Sequence, residues 1–255
     1  MASERKGILR NISFHLMQII GVAVLASGEF RRNLDMAVSG FVNALALTVL
    51  LYFLLQNETA FLLVATGFTI AGSFNAGGTV ANRVVFLWRY AKALDAIMVS
   101  GLKPWNFVLG ATLAAFTFGF ASDFLYISVI SVIVRKPEIA LLALVFAPFM
   151  SFLGALIGMN IAFRIKSHLK TQTLYGMIFF NLFYLPPVFY PVVNMPEPLR
   201  PLVFLAPTGL GAETLRVLTG VSEPVYSLEI LLGALFLWLV ILLVLSIKGL
   251  KWDLD

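Results

Sequence analysis

The chain has no cysteine, which excludes disulfides and thiolate metal sites. Its two histidines, His15 and His168, are far apart in sequence and argue against a histidine metal cluster. Charge is scarce: 12% of residues are Asp, Glu, Lys or Arg, against about a quarter in soluble domains. No polar stretch is long enough for a separate soluble domain, and no Gly-rich loop ends in Lys-Ser or Lys-Thr. A phosphate-cradling nucleotide domain of that kind is therefore excluded from these residues. The net charge of +5 would suit a nucleic-acid partner in a soluble protein. In a membrane protein its usual source is cytoplasmic loops rich in Lys and Arg, so no nucleic acid is expected.

What is present is apolar. Hydrophobic residues make up 60% of the chain, and the mean hydropathy is +0.94. This predicts an all-α integral membrane protein with residues 1–255 forming one transmembrane domain. A bilayer core takes about 20 apolar residues per helix. Runs that meet this cover residues 36–56, 60–82, 104–134, 139–163 and 173–193, with a slightly short sixth at 229–247. The connections at Asn57–Thr59 and Arg135–Glu138 are so short that their flanking spans must be antiparallel hairpins.

Asn11–Gly28 is apolar enough for a seventh span. It also resembles a signal peptide, because Arg5, Lys6 and Arg10 precede it and small residues lie at Ala26–Gly28. Charge decides between the counts. Six spans with both termini inside leave only Arg135, Lys136, Arg200 and Arg216 outside. A seventh span would also move Arg5, Lys6 and Arg10 out, against the positive-inside rule. Residues 1–34 are accordingly read as a cytoplasmic segment in which Ile12–Arg32 is an amphipathic helix on the membrane face, with a true span as the alternative. Arg83–Lys103 is a second amphipathic segment. Leu87, Ala91, Leu94 and Met98 recur at helical spacing among Arg83, Arg89, Lys92, Asp95 and Lys103. It serves either as a surface connector or as a docking helix.

The region from Phe183 to Thr219 holds seven of the eleven prolines. Proline lacks an N–H and blocks a regular helix, and a membrane tolerates no lipid-exposed unpaired backbone. The fifth span should therefore break at Pro186 or Pro187. Residues 194–222 should form an extracellular cap, with Val193–Thr219 folding as two short helices that dip into the outer leaflet with a turn near Pro207. Leu199, Leu202, Val203, Phe204 and Leu205 would be the buried surface. Glu197, Arg200, Glu213 and Arg216 would stay at headgroup level.

In order and spacing these features resemble the permease subunit of a type-2 ABC exporter over essentially the whole chain. The matching stretches are Tyr190-Pro191, Pro196-Glu197-Pro198-Leu199, Pro207-Thr208 and Arg216, with Arg89, Leu94, Asp95 (for Glu), Pro104 and Gly110 in the region between spans two and three. The chain departs from the family pattern at Tyr90, Lys92 and Ala93. The resemblance implies a cytoplasmic interfacial helix, a coupling helix at 83–103 and an extracellular broken hairpin whose marked residues are Pro187, Pro191, Pro196, Pro207 and Arg216. It implies two copies of a cytoplasmic ATP-binding subunit, which would carry ATP and magnesium, docked through Glu29, Arg31, Arg32, Arg89, Lys92 and Asp95. It also implies a second permease copy, most simply a homodimer, set among membrane lipids.

The implied path between the copies runs along spans one, two and five, where Asn43, Thr66, Thr69, Ser73, Asn75, Asn181 and Tyr184 are the polar candidates. Each is equally explained as a helix-packing contact. Gly154 and Gly158 are read as packing outright. Asp123 is the only acid well inside a span; it lies near the outer boundary and serves either structure at the interface, or proton coupling or substrate contact. The cargo expected is amphipathic or hydrophobic: a drug, a lipid or a lipid-linked glycan. The alternative is a stand-alone proton- or ion-coupled transporter, though no internal repeat supports it. Catalysis by the chain itself is not expected, since no paired acids or Ser-His pair fall inside a span.

The six-span reading places both termini inside. A cysteine introduced at Ser3 should resist an impermeant external thiol reagent in intact cells, and one at Glu138 should react. Labelling at Ser3 would overturn the six-span count.

Overall fold

The computed structural model describes residues 2–31, 34–134, 137–165 and 167–249, and every regular element among them is helical. In chain order these are α1 (Ala2–Arg31), α2 (Leu34–Leu55), α3 (Glu58–Tyr90), α4 (Ala93–Val99), α5 (Pro104–Val134), α6 (Pro137–Arg164) and α7 (His168–Tyr184). Two 3₁₀ segments follow, Val192–Asn194 and Glu197–Leu205, and then α8 (Pro207–Leu218) and α9 (Leu228–Gly249). Among the described residues, α3, α6 and α9 are long and apolar enough to cross a membrane.

Local chemistry sets the breaks. Asn57 caps α3: its side-chain oxygen accepts from Thr59 N at 2.9 Å and Ala60 N at 3.3 Å, satisfying donors that the first turn leaves free. Gln56 turns the corner with φ 48°. Pro104 and Pro137 begin α5 and α6, where a missing N–H costs nothing. α7 stops at Tyr184, just ahead of Pro186 and Pro187. The fifth apolar stretch therefore ends well short of residue 193, as those two prolines require.

The segment at 83–103 is not one helix. α3 continues through Arg83 and Arg89 to Tyr90. Lys92 then takes a left-handed φ of 55° and starts the separate seven-residue α4. Gly101, at φ 75°, turns the chain into α5.

α3 and α6 form the central pair and run in the same direction. Glycines let their backbones touch: a Cβ on Gly77 would overlap the Ser151 carbonyl, one on Gly154 the Phe74 carbonyl, and one on Gly158 the Gly78 carbonyl. Gly154 and Gly158 are packing residues, as their four-residue spacing indicated. Around this pair lie Ile70, Phe74, Met150, Leu153, Leu156 and Met159, all essentially without exposure. α9 covers α6, where Asn160 Nδ2 donates to Ser246 Oγ at 2.6 Å.

α1 turns polar residues toward α5. Asn106, at the start of α5, is fully buried. Its Nδ2 lies 2.9 Å from His15 Nδ1 and donates to Gln18 Oε1. The polar side of α1 thus faces protein, because a buried amide must find partners. Val22, Ala23 and Ala26 are buried, whereas Phe14, Leu16, Met17, Ile20, Val24 and Leu25 point outward.

Gly154→Ala should destabilise the detergent-solubilised protein by about 1–3 kcal/mol through overpacking. Gly233→Ala, where an added Cβ meets nothing, should be neutral or slightly stabilising. Thermal unfolding of the two variants side by side checks this.

Candidate functional site

After α7 the chain runs from Leu185 to Pro191 without regular hydrogen bonding, so its carbonyls need donors from elsewhere. Arg216 of α8 supplies them. Its Nε donates to Thr66 Oγ1 at 3.2 Å. One terminal nitrogen donates to Pro187 O at 3.1 Å and Tyr190 O at 3.0 Å. The other donates to Leu63 O at 2.9 Å and to Val188 O. A guanidinium has five N–H donors, and here each has an acceptor. Glu213 lies one helical turn back, and its Oε2 accepts from Val192 N at 3.2 Å and sits 4.0 Å from Arg216. Both side chains have no exposure. Burial pulls the Arg216 guanidinium down to about 10, with Glu213 acting the other way, so it stays protonated at neutral pH. Burial pushes the Glu213 carboxyl up, opposed by the Val192 N–H and by Arg216.

This overturns the expectation that Glu213 and Arg216 sit at headgroup level. Pro207–Arg216 is buried throughout, whereas Glu197 and Arg200 remain a partly exposed pair at 3.8 Å. The reason is backbone accounting: three carbonyls of a proline-interrupted segment outbid water for the guanidinium. The apolar residues ahead of α8 also divide. Val203 is buried, Phe204 packs on Tyr226 with ring centroids 4.9 Å apart, and Leu199, Leu202 and Leu205 stay exposed.

Below this hub, α3 and α7 meet along a seam. At its upper end the rings of Phe68, Phe183 and Phe189 lie 5.0–5.9 Å apart, with Tyr184 on Phe183 at 4.8 Å. In the middle Tyr175 stacks on Phe179 at 4.1 Å, and its hydroxyl lies 2.8 Å from Thr79 Oγ1 and donates to Asn75 O at 3.1 Å. At the lower end is a pocket of about 360 Å³ lined by Thr79, Asn82, Arg83, Phe86, Leu87, Gln172 and Tyr175. The seam therefore runs from aromatic to polar and cationic, which suits a molecule with an apolar body and a polar head.

The sequence-derived path residues split between two sides of α3. Thr66, Thr69 and Ser73 are buried and donate to the carbonyls of Leu62, Ala65 and Thr69. They belong to the interior, not to an open path. Asn75 and Tyr184 are exposed along the seam, and Asn43 is exposed on α2. Asn181 is half-buried and donates to Met177 O on its own helix at 2.8 Å.

Arg89 is not a free surface charge. It donates to Ala162 O at 2.9 Å, Ile165 O at 3.1 Å and Phe163 O at 3.4 Å. It thus caps the carbonyl end of α6, where a cation is favoured. Lys92 and Asp95 are exposed beside α4. The side chains of Glu29, Arg31 and Asp123, and all of Arg32, lie outside the described residues. The pocket was not legible beforehand as a unit. Asn82 and Thr79 carried a signal as polar residues in an apolar run, but Arg83 and Gln172 read as ordinary boundary residues.

No family model matches the chain, and no curated protein matches its sequence significantly.

Arg216→Met should destabilise the fold by about 3–5 kcal/mol, because it orphans several buried acceptors at once. Arg216→Lys should recover only part of this, since an ammonium has three donors on one atom. Arg200→Met, at a partly exposed site, should cost well under half as much. Melting temperatures of the three purified variants test the ranking.

Proposed function

We propose that the chain is the membrane-spanning permease subunit of an ATP-driven ABC exporter in a plasma (inner) membrane, with both termini cytoplasmic. It moves an amphipathic or hydrophobic substrate. ATP and magnesium are handled by two copies of a cytoplasmic ATPase partner. Two copies of the permease, most simply a homodimer, enclose the path between them. The observation that carries this reading is the sequence of elements. A short helix, α4, stands apart at the same end as the α6 and α9 C-termini, and a broken hairpin, Val192–Leu218, closes the opposite end between α7 and α9.

Charge supports the orientation. Among the described residues, the α4 end carries Arg83, Arg89, Lys92, Lys103, Arg164, Lys170 and Lys248 with Asp95, whereas the other end carries Glu58, Glu138, Glu197, Glu213, Glu223 and Glu229 with Arg200 and Arg216. The positive-inside rule makes the basic end cytoplasmic. The six spans in this reading are α2, α3, α5, α6, α7 and α9, with α1 at the cytoplasmic end beside the start of α5. Lys92 and Asp95 are the α4 charges that face the ATPase. Arg89 holds the base of α4 in place by fastening α3 to α6. The seam between α3 and α7 lies on the path.

Membranes from cells expressing the tagged chain should yield a copurifying ATP-binding subunit. The Lys92→Glu, Asp95→Lys double variant should lower substrate-stimulated ATPase activity several-fold at unchanged melting temperature, because exposed charges contribute about 0–1 kcal/mol to stability but fix docking register. Transport by the purified chain alone, driven by a proton gradient without ATP, would sink the reading.

A further inference from the structure

We propose that the pocket at the basic end of the α3–α7 seam is a binding site for the phosphate headgroup of an amphipathic molecule. The proposal rests on the exporter reading in one respect only: it names that exporter's substrate class.

The argument starts from Asn82. It is 2% exposed, and neither its Nδ2 nor its Oδ1 has a hydrogen-bond partner. A buried amide left unpaired is costly, and an apolar side chain of the same size would be better for the fold alone. Asn82 lines the pocket, so the space it faces is where its partner belongs. Water is the simplest partner, but a water occupies about 30 Å³, and the pocket is about 360 Å³. That is the lower range of small-molecule sites.

The lining says what kind of molecule fits. Among the described residues, Arg83 is the charged residue on the wall and no Asp or Glu lines it. Asn82 and Gln172 add amide donors, whereas the Thr79 and Tyr175 hydroxyls on the same wall bond to each other and to Asn75 O. A guanidinium with two amide groups is a phosphate-type set. A bare ion would be indifferent to the remaining lining. Phe86 and Leu87 are apolar, and the seam continues past Tyr175 and Phe179 to the Phe68–Phe183–Phe189 cluster. A hydrocarbon chain attached to the phosphate would follow that line, leaving its head at the cationic end.

The test is binding by the purified full-length chain in neutral detergent, with dioctanoyl phosphatidate, dioctanoylglycerol and inorganic phosphate as separate probes. Dioctanoyl phosphatidate should bind, and the other two should bind at least about tenfold more weakly, the worth of one charge-assisted contact. Arg83→Gln and Asn82→Leu should each weaken phosphatidate binding about tenfold. Asn82→Leu should leave the melting temperature of the ligand-free protein unchanged or raised, so lost binding there is not lost folding. Equal binding of dioctanoylglycerol would show that the head contributes nothing and overturn the proposal. Inorganic phosphate binding as tightly would make this a free-phosphate site and overturn the amphiphile. Unchanged phosphatidate affinity in Asn82→Leu would also overturn it. If phosphatidate binds as described but no ATPase copurifies, the exporter reading falls and the site stands. If the ATPase copurifies and phosphatidate does not bind, only the site falls.

Discussion

The fold depends on how one guanidinium is used. A chain that breaks helix next to a hydrocarbon medium must find donors for the carbonyls it frees, because no water is there to supply them. Prolines at 186, 187 and 191 create that problem, and Arg216, with all five of its N–H groups engaged, meets it with three of them. Two of those bonds go to α3, at Leu63 and Thr66. The same side chain therefore ties the post-α7 turn, α8 and the first half of α3 into one body. Glu213 completes it by receiving the Val192 N–H. A cap of short 3₁₀ and helical pieces can be firm at this point and still leave Leu199, Leu202 and Leu205 facing outward.

α3 is the element through which everything else is positioned, and its faces do different work. One face is smooth: Gly77 and Gly78 let it settle on α6 at backbone distance, where Gly154 and Gly158 answer. Its first half holds the Arg216 hub. Its last turn carries Arg89, which reaches across to the free carbonyls at the end of α6. The face toward α7 carries Asn75 and Thr79, which bond to Tyr175, and Asn82 and Arg83, which line the pocket. Close packing on one side fixes the helix, and a fixed helix can hold a polar pocket open on the other. Movement of α4 would be felt directly at the α3–α6 junction, because only Ala91 and Lys92 separate α4 from α3 and Arg89 lies at that step.

The functional reading and the chemistry of the seam support each other without being the same claim. An exporter of amphipathic molecules needs a route on which an apolar body and a polar head are both accommodated. The α3–α7 seam has rings at one end and a cation with amides at the other. The basic residues concentrated at the pocket end would also raise the local concentration of anionic headgroups. That end lies near the start of α4, so in the proposed exporter a headgroup seated there would be close to the helix proposed to meet the ATPase.

The sequence by itself determined the class of protein and much of its order. Low charge and long apolar runs predict a helical chain with helices long and apolar enough to cross a membrane, and the breaks at Asn57, Pro104, Pro137 and Pro186 are local chemistry that any neighbouring structure must respect. The small-residue pair at Gly154 and Gly158 was likewise legible, because four-residue spacing puts both on one helix face. Tertiary structure decided what the polar residues do. Thr66, Thr69 and Ser73 read the same as Asn75 in one dimension, but the glycine-set contact with α6 turns the first three inward and leaves the last on the seam. Arg89 read as a surface charge until α6 brought its carbonyl end within reach. Arg216 read as a headgroup anchor until the carbonyls of Pro187, Val188 and Tyr190 surrounded it. In each case sequence gives the donor, but the acceptor belongs to a segment distant along the chain. Hydrogen bonds of that range are set by packing, which one-dimensional periodicity does not contain.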